Sequence, residues 1–199
     1  MSEIVVINHL TLDGVMQAPG RPDEDTRGGF EHGGWANAGN DEVMGRVMGE
    51  RMTGGPLLLG RRTYEDFHSF WPKQTDSPFS EALNNVSKHV ASTTLSEPLE
   101  WSNSRLLGDD VAAAVRELKA ESAADITILG SGELIRSLMP HDLIDEWLLL
   151  IHPLVLGTGQ RMFGEGPALG ALELTDSVTT TTGVLIGTYA PVRRVTDSR

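Results

Sequence analysis

Apolar residues along this chain fall in short bounded runs that alternate with stripes at helical spacing. Ile4 to Ile7 is a β-branched run of the kind that builds a buried strand, and the turn signal Asp13-Gly14 closes it. Asn40 precedes a stripe of Val43, Met44, Val47 and Met48, so it is expected to cap a helix that Gly54-Gly55 ends. Leu57 to Leu59 predicts a strand, and Thr63 to Phe70 a short helix stopped at Trp71-Pro72. His89 to Ser92 is a further strand, followed by a loop through "TTLSEP". Asp109 or Asp110 caps a helix with apolar positions Val111, Ala114, Val115 and Leu118. Ile126, Ile128 and Leu129 mark a strand ending at Gly130, with a helix from about Glu133 to Met139.

The last third changes character. Leu143 to Leu156 reads as one long apolar strand containing Pro153, where the missing N–H predicts a bulge or an edge. From 169 to 192, threonine and β-branched residues predict two antiparallel strands joined around Thr182-Gly183. The order is that of an α/β protein: a three-layer αβα sandwich with a mostly parallel central sheet and antiparallel C-terminal strands. One domain over residues 1–199 suffices. Residues 16–40, "QAPGRPDEDTRGGFEHGGWANAGN" after Met16, are rich in Gly, Pro and charge. A segment of that length is either a surface excursion or a binding loop. Phe30 and Trp35 favour an active-site lid over residues 15–40.

Charge narrows the partners. Sixteen basic residues against 28 acidic ones give a net charge of −12, which argues against nucleic acid, whose backbone needs a basic face. A local basic cluster can still hold one small anion. The chain has no cysteine, so disulfides and thiolate chemistry are excluded, as suits a cytoplasmic protein. "MSEIVVINHL" lacks a basic leader region and reads as a first strand. No apolar run approaches the roughly 20 residues of a membrane span. The six histidines show no metal-ligand spacing, and no metal is expected. His152 lies on the apolar strand facing the expected cleft, where a satisfied core histidine is the common case.

In open α/β sheets, ligands bind beyond the carboxyl ends of strands, where the next helices start. Two such points stand out. Gly60-Arg61-Arg62-Thr63 joins a strand to a helix, and combines a tight turn, free N–H groups and forked guanidinium donors suited to phosphate. The alternative is a strand end with solvated arginines. Gly130-Ser131-Gly132-Glu133 repeats the strand–glycine–helix pattern without the third glycine of the usual dinucleotide fingerprint.

Taken in order, "LTLDGVM", "LLLGRRTYEDF", "HVASTTLSEP", "ITILGSGELIRSLM" and "LIDEWLLLIHPLVLGTGQRMF" resemble the dihydrofolate reductase fold family. The branch they look closest to contains the reductase domain of the riboflavin-biosynthesis deaminase/reductase. The resemblance covers nearly the whole chain and implies NADPH bound along the carboxyl edge of the sheet. On it, Gly60, Arg61, Arg62 and Thr63 hold the pyrophosphate and the 2′-phosphate, with Ser92 and Thr93 as a hydroxyl pair at the latter. Leu107 and Gly108 lie at the adenine edge, and Gly130, Ser131, Gly132 and Glu133 lie under the pyrophosphate and nicotinamide ribose. Asp41 matches the place of the family's acid on the first helix, although an acid in a first helical turn also serves the helix dipole. Asp13, Gly14 and Val15 match a motif near the nicotinamide, where the alternative is a simple turn, and Trp35 belongs to the lid over the substrate. The implied activity is hydride transfer to a small heterocycle by a cytoplasmic homodimer. A non-catalytic NADP(H)-binding protein of the same fold is the alternative.

Overall fold

The computed structural model describes residues 2–52, 54–75, 77–164 and 170–192. The strands are β1 (Ile4–Thr11), β2 (Leu57–Gly60), β3 (Lys88–Ala91), β4 (Ser104–Leu106), β5 (Ile126–Leu129), β6 (Glu146–His152), β7 (Leu172–Thr179) and β8 (Leu185–Pro191). The helices are α1 (Glu42–Arg51), α2 (Arg61–Phe70), α3 (Pro78–Asn85), α4 (Val111–Glu121) and α5 (Gly132–Leu138). The sheet runs β4-β3-β2-β5-β1-β6-β8-β7. Pairing is parallel from β4 to β6 and antiparallel for β6–β8 and β8–β7.

Successive strand side chains point to opposite faces, so a continuous apolar run must feed two cores. In β1, Ile4 and Val6 join Ile126, Ile128, and the helical Val115, Leu118, Ile135 and Leu138 of α4 and α5. Val5 and Ile7 face the other way, onto Met44 of α1, Tyr64 of α2 and Leu83 of α3. The three layers expected from the chain are therefore present.

Several local expectations are corrected. Asp41, not Asn40, caps α1: its carboxylate accepts the Met44 amide at 2.8 Å. The long strand expected over Leu143–Leu156 is confined to Glu146–His152, and the chain turns at once, Leu154 N–H donating to His152 C=O at 2.8 Å. Pro153 thus follows the strand and makes no bulge in it, and β6 is internal. Leu143 and Ile144 are buried ahead of the strand. α3 has no counterpart in the predicted order, although Ser77 caps it and Pro78 opens it, both ordinary start signals. The C-terminal hairpin turns where expected, with Gly183 at φ +85°. Leu169, at the start of that predicted segment, lies outside the described residues.

Candidate functional site

β2 and β5 are neighbours, with Leu57 opposite Thr127 and Leu58 opposite Ile128, so their carboxyl ends open side by side. Both glycine turns sit there. Gly130 adopts φ +58° and Ser131 follows in the same left-handed region (φ 58°, ψ 42°), a costly pairing for a residue with a side chain. Three hydrogen bonds hold it. Gly60 N–H donates to Ser131 Oγ at 3.0 Å, Ser131 O–H donates to Leu129 C=O at 2.9 Å, and Ser131 N–H donates to Thr63 Oγ1 at 3.1 Å. Thr63 also packs against the bare α-carbon of Gly130, where a Cβ would lie 3.2 Å from Thr63 Oγ1. The two motifs, about 70 residues apart, form a single unit.

No side chain caps the first turn of α2. The N–H groups and positive dipole end there suit an anion. Arg61 is half-buried and pairs with Glu65 one turn on at 2.9 Å, while Arg62 is exposed. Ser92, at the end of β3, uses its hydroxyl to accept the Thr94 and Leu95 amides at 3.1 and 2.9 Å, and Thr93 is exposed beside it. Leu107 donates its N–H to Val90 C=O at 2.9 Å and presents the exposed Gly108 next to it. Glu133 is exposed on α5, and Arg27 of the 15–40 segment is kept charged first by its hydrogen bond to Asp25, with Glu133 adding a smaller attraction. Gly132 has Met16 Sδ where a Cβ would project, at 2.6 Å. Two guanidiniums, uncapped amides, a hydroxyl and a glycine surface along one sheet edge fit a dinucleotide phosphate in donor chemistry.

The two candidate acids have partners of their own. Asp13 accepts Thr11 O–H at 2.6 Å, Leu156 N–H at 3.2 Å and Gly157 N–H at 2.9 Å, with Arg161 at 3.4 Å. The Thr11 hydroxyl, more than the amides, holds its carboxyl down to about 2. Asp41 accepts the Met44 amide and both the amide and hydroxyl of Thr181, each at 2.7 Å for Thr181, and its carboxyl is held below the usual range by the Met44 amide first. It ties α1 to the C-terminal hairpin. Gly14, at φ +79°, makes the turn after β1, and Val15 is fully buried against Ala18 and Phe30.

The 15–40 segment is folded over this edge. Arg21 forms an ion pair with Asp66 of α2 and lies 4.3 Å over the Phe70 ring. Trp35 donates its indole N–H to Gln17 C=O at 2.7 Å and meets His152 edge-on at 5.2 Å. His152 is hydrogen-bonded to His9, Nε2 to Nδ1 at 2.9 Å. The sequence singled out His152 but not this partner, because the register of β1 on β6 that joins them is not written in local pattern. Among the described residues, no group of three or more His, Asp or Glu could hold a metal, and no helix is long and apolar enough to cross a membrane.

A family model described as the RibD C-terminal domain matches residues 3–186. Two Bacillus subtilis (strain 168) proteins, both uncharacterized, are similar in sequence. YyaP is 28% identical over 133 residues, 65% of this chain and 70% of YyaP. YwjB is 29% identical over 109 residues, 55% of this chain and 58% of YwjB. Among solved structures, a putative riboflavin biosynthesis protein from Shewanella sp. PV-4 superposes with a TM-score of 0.68 at 22% identity, over 96% of this chain and 99% of that one. A pyrimidine reductase-like protein from Corynebacterium diphtheriae gives 0.65 at 13% identity, over 96% and 92%. These two likenesses concern the fold, which is that of dihydrofolate reductase.

Proposed function

This chain belongs to the family of the RibD C-terminal domain, and on that premise we propose that it is an NADPH-dependent reductase. Its substrate is a small heterocycle of pterin, folate-like or ribosylamino-pyrimidine type. The reading is carried by one observation, the hydrogen-bonded unit of the Gly60–Thr63 and Gly130–Glu133 turns at adjacent strand ends. NADPH, when bound, supplies the hydride.

The chain's own residues bind, orient and shield. The uncapped amides of α2 and the Gly130 surface receive the pyrophosphate. Arg61 and Arg62 with Ser92 and Thr93 meet the 2′-phosphate, Leu107 and Gly108 flank the adenine, and Ser131, Gly132 and Glu133 border the nicotinamide ribose. Each charge-assisted hydrogen bond there contributes about 1.5–3 kcal/mol. The 15–40 segment acts as the lid that excludes water, with Trp35 over the substrate end and Arg21 as its anchor to α2. Asp13 and Asp41, with Gly14 and Val15, set the turns that frame the site, since ionised carboxylates already saturated with donors are poor proton sources at neutral pH.

The assembly we propose is a homodimer. Its support is the edge strand β7, where Leu172 and Leu174 are 40% and 52% exposed. Light scattering at the 21.6 kDa of one chain would rule it out.

The test is NADPH oxidation across a panel of oxo-pyrimidines and pterins, beside thermal protection by NADPH and NADH. Protection by NADPH with turnover of one ring class is the expected result. Protection without turnover of any ring favours the second reading, a non-catalytic NADP(H)-binding protein, which the occupied carboxylates of Asp13 and Asp41 support. No protection sinks both.

A further inference from the structure

The proposed reductase needs, beside its cofactor turns, groups that read the acceptor ring. β1 lies between β5 and β6, so it borders the Gly130 turn on one side and β6 on the other. The register Ile7 opposite Leu129 places His9 two residues past that pair, level with the Gly130–Ser131 turn. Asn8 fixes this placement by donating its side-chain N–H to Gly130 C=O at 3.1 Å. Neighbouring strands lie about 4.8 Å apart, so His9 stands one strand from the turn proposed to carry the nicotinamide ribose.

His9 and His152 point to the face shared by Val5, Ile7, Leu148 and Leu150. There they meet ring to ring, centroids 5.2 Å apart, with Nδ1 of His9 and Nε2 of His152 at 2.9 Å. Their exposures differ. His152 is 1% exposed and is enclosed by Trp35 and by Gly39, whose Cβ, if it had one, would lie 2.6 Å from the imidazole. His9 is only half-buried, and its second ring nitrogen has no hydrogen-bond partner among the described residues. A buried imidazole pair is a costly way to fill a core, because two apolar side chains would serve as well without polar atoms to satisfy. The pair therefore calls for a ligand on the open side.

We propose that His9 contacts the substrate ring through Nε2, and that His152 is the positioning residue that fixes its orientation under the lid. The proposal rests on the reductase reading for where the cofactor lies. One proton is shared across the Nδ1–Nε2 contact. If His9 donates it, His9 Nε2 is an acceptor; if His152 donates it, His9 Nε2–H is a donor. The pair can thus match either an N–H or a C=O on the edge of a planar heterocycle when both rings change tautomer together: His9 loses its proton at Nδ1 and gains one at Nε2, His152 loses its proton at Nδ1 and gains one at Nε2, and both rings stay neutral. Burial, with His152 second, keeps His9 unprotonated down to about 4, so it stays neutral at physiological pH. Among the described residues, no carboxylate acts on either ring. Asp41, the acid near Gly39, is taken by Met44 and Thr181, and Glu146 at the far end of β6 pairs with Arg51.

The probe is 5,6-diaminouracil, titrated into the whole chain with and without saturating NADP⁺, while imidazole ¹⁵N shifts of the wild type are followed by NMR. His9→Gln and His152→Gln are measured alongside. The expected result is a His9 ¹⁵N shift on probe binding and a loss of probe affinity of about 10-fold in H9Q, as for one unpaired hydrogen bond at a closed site. NADPH affinity should stay within about 3-fold of wild type, because His9 is placed off the phosphate edge. H152Q should weaken the probe less and move the acid loss of probe binding to higher pH, because the His152 contribution that lowers His9 is removed while its burial remains. Saturable probe binding with unmoved His9 shifts, equal affinity in H9Q, or no probe binding to the wild type would each overturn the assignment. Failure of NADP⁺ to bind is a separate outcome that removes the reductase reading, and the titration without NADP⁺ then still decides whether His9 meets the ring.

Discussion

Replacing Ser131 by alanine removes the hydroxyl that joins the two turns. In the wild type that hydroxyl accepts from Gly60 N–H at 3.0 Å and donates to Leu129 C=O at 2.9 Å, in a residue only 8% exposed. Each bond contributes about 0.5–1.5 kcal/mol net, and an orphaned buried donor adds a desolvation cost of about 1–3 kcal/mol. Gly60 is half-buried, which puts its amide at the low end, so S131A should cost about 2–3 kcal/mol. For a chain of this size that lowers the thermal midpoint by roughly 4–12 °C. Thr63→Val removes the acceptor of the Ser131 amide, at 3.1 Å, and should cost about 1 kcal/mol. Because both act on one unit, the double variant should depart from additivity by at least about 0.5 kcal/mol. Denaturant unfolding of the four proteins measures this, and the same samples should bind NADPH at least about 10-fold more weakly when Ser131 is lost, since the first turn of α2 loses its support. A cost for S131A below about 0.5 kcal/mol, with strict additivity, would show that the turns are merely adjacent.

Other perturbations test other parts. Lys88 is fully buried, donates to Asn84, Val86 and Ser102 carbonyls at 3.3, 2.8 and 3.0 Å, and lies 4.4 Å over the Trp101 ring. Lys88→Met keeps the packing but orphans the Val86 and Ser102 carbonyls, while Asn84 keeps the Asn103 side-chain N–H, so it should cost about 3 kcal/mol in urea unfolding, and a neutral outcome would contradict the role. Gly39→Ala places a Cβ 2.6 Å from the His152 ring and 2.8 Å from Val184, so it should lift the lid, raising proteolysis within residues 15–40 while leaving the sheet intact by circular dichroism. His9 and His89 both have folded values lowered to about 4 from 6.5, chiefly by burial, with the Arg105 guanidinium second at His89. Below 6.5 the unfolded chain therefore binds more protons than the folded one, so stability should be full above 6.5 and decline as pH falls towards 4. Thermal midpoints across that range should flatten in H9Q and H89Q, and an unchanged slope would count against both shifts.

Sequence carried the sheet further than it carried the site. β1, β2 and β5 were legible because their apolar runs are unbroken, as strands covered on both faces require. α3 was passed over although Ser77-Pro78 announces it, since its eight residues bury only Ser80 and Leu83 and leave little periodicity to read. β4 is three residues long and half-exposed, below what an alternation pattern resolves. The apolar stretch around β6 overstated the strand because Leu143 and Ile144 are buried without being paired in it. Both glycine turns were placed correctly at strand ends, but only the strand order reveals that β2 and β5 are neighbours and that Ser131 bonds Gly60. Asp41 drew notice for its charge; its position ahead of Glu42-Val43-Met44 equally describes a helix cap, which is the role its geometry fills. His9 stood in a strand with no local mark of its partner 143 residues away.

The most direct measurement is a fluorescence titration of the purified protein with NADPH and with NADH, repeated on Arg61→Ala. Saturable NADPH binding, at least about 10-fold tighter than NADH and weakened by at least about 10-fold in R61A, is the expected result, each step matching one or more charge-assisted bonds to the 2′-phosphate. Equal affinity for the two nucleotides, insensitive to R61A, would contradict the placement of the phosphate at Gly60–Thr63, and no binding of either would contradict the reductase itself.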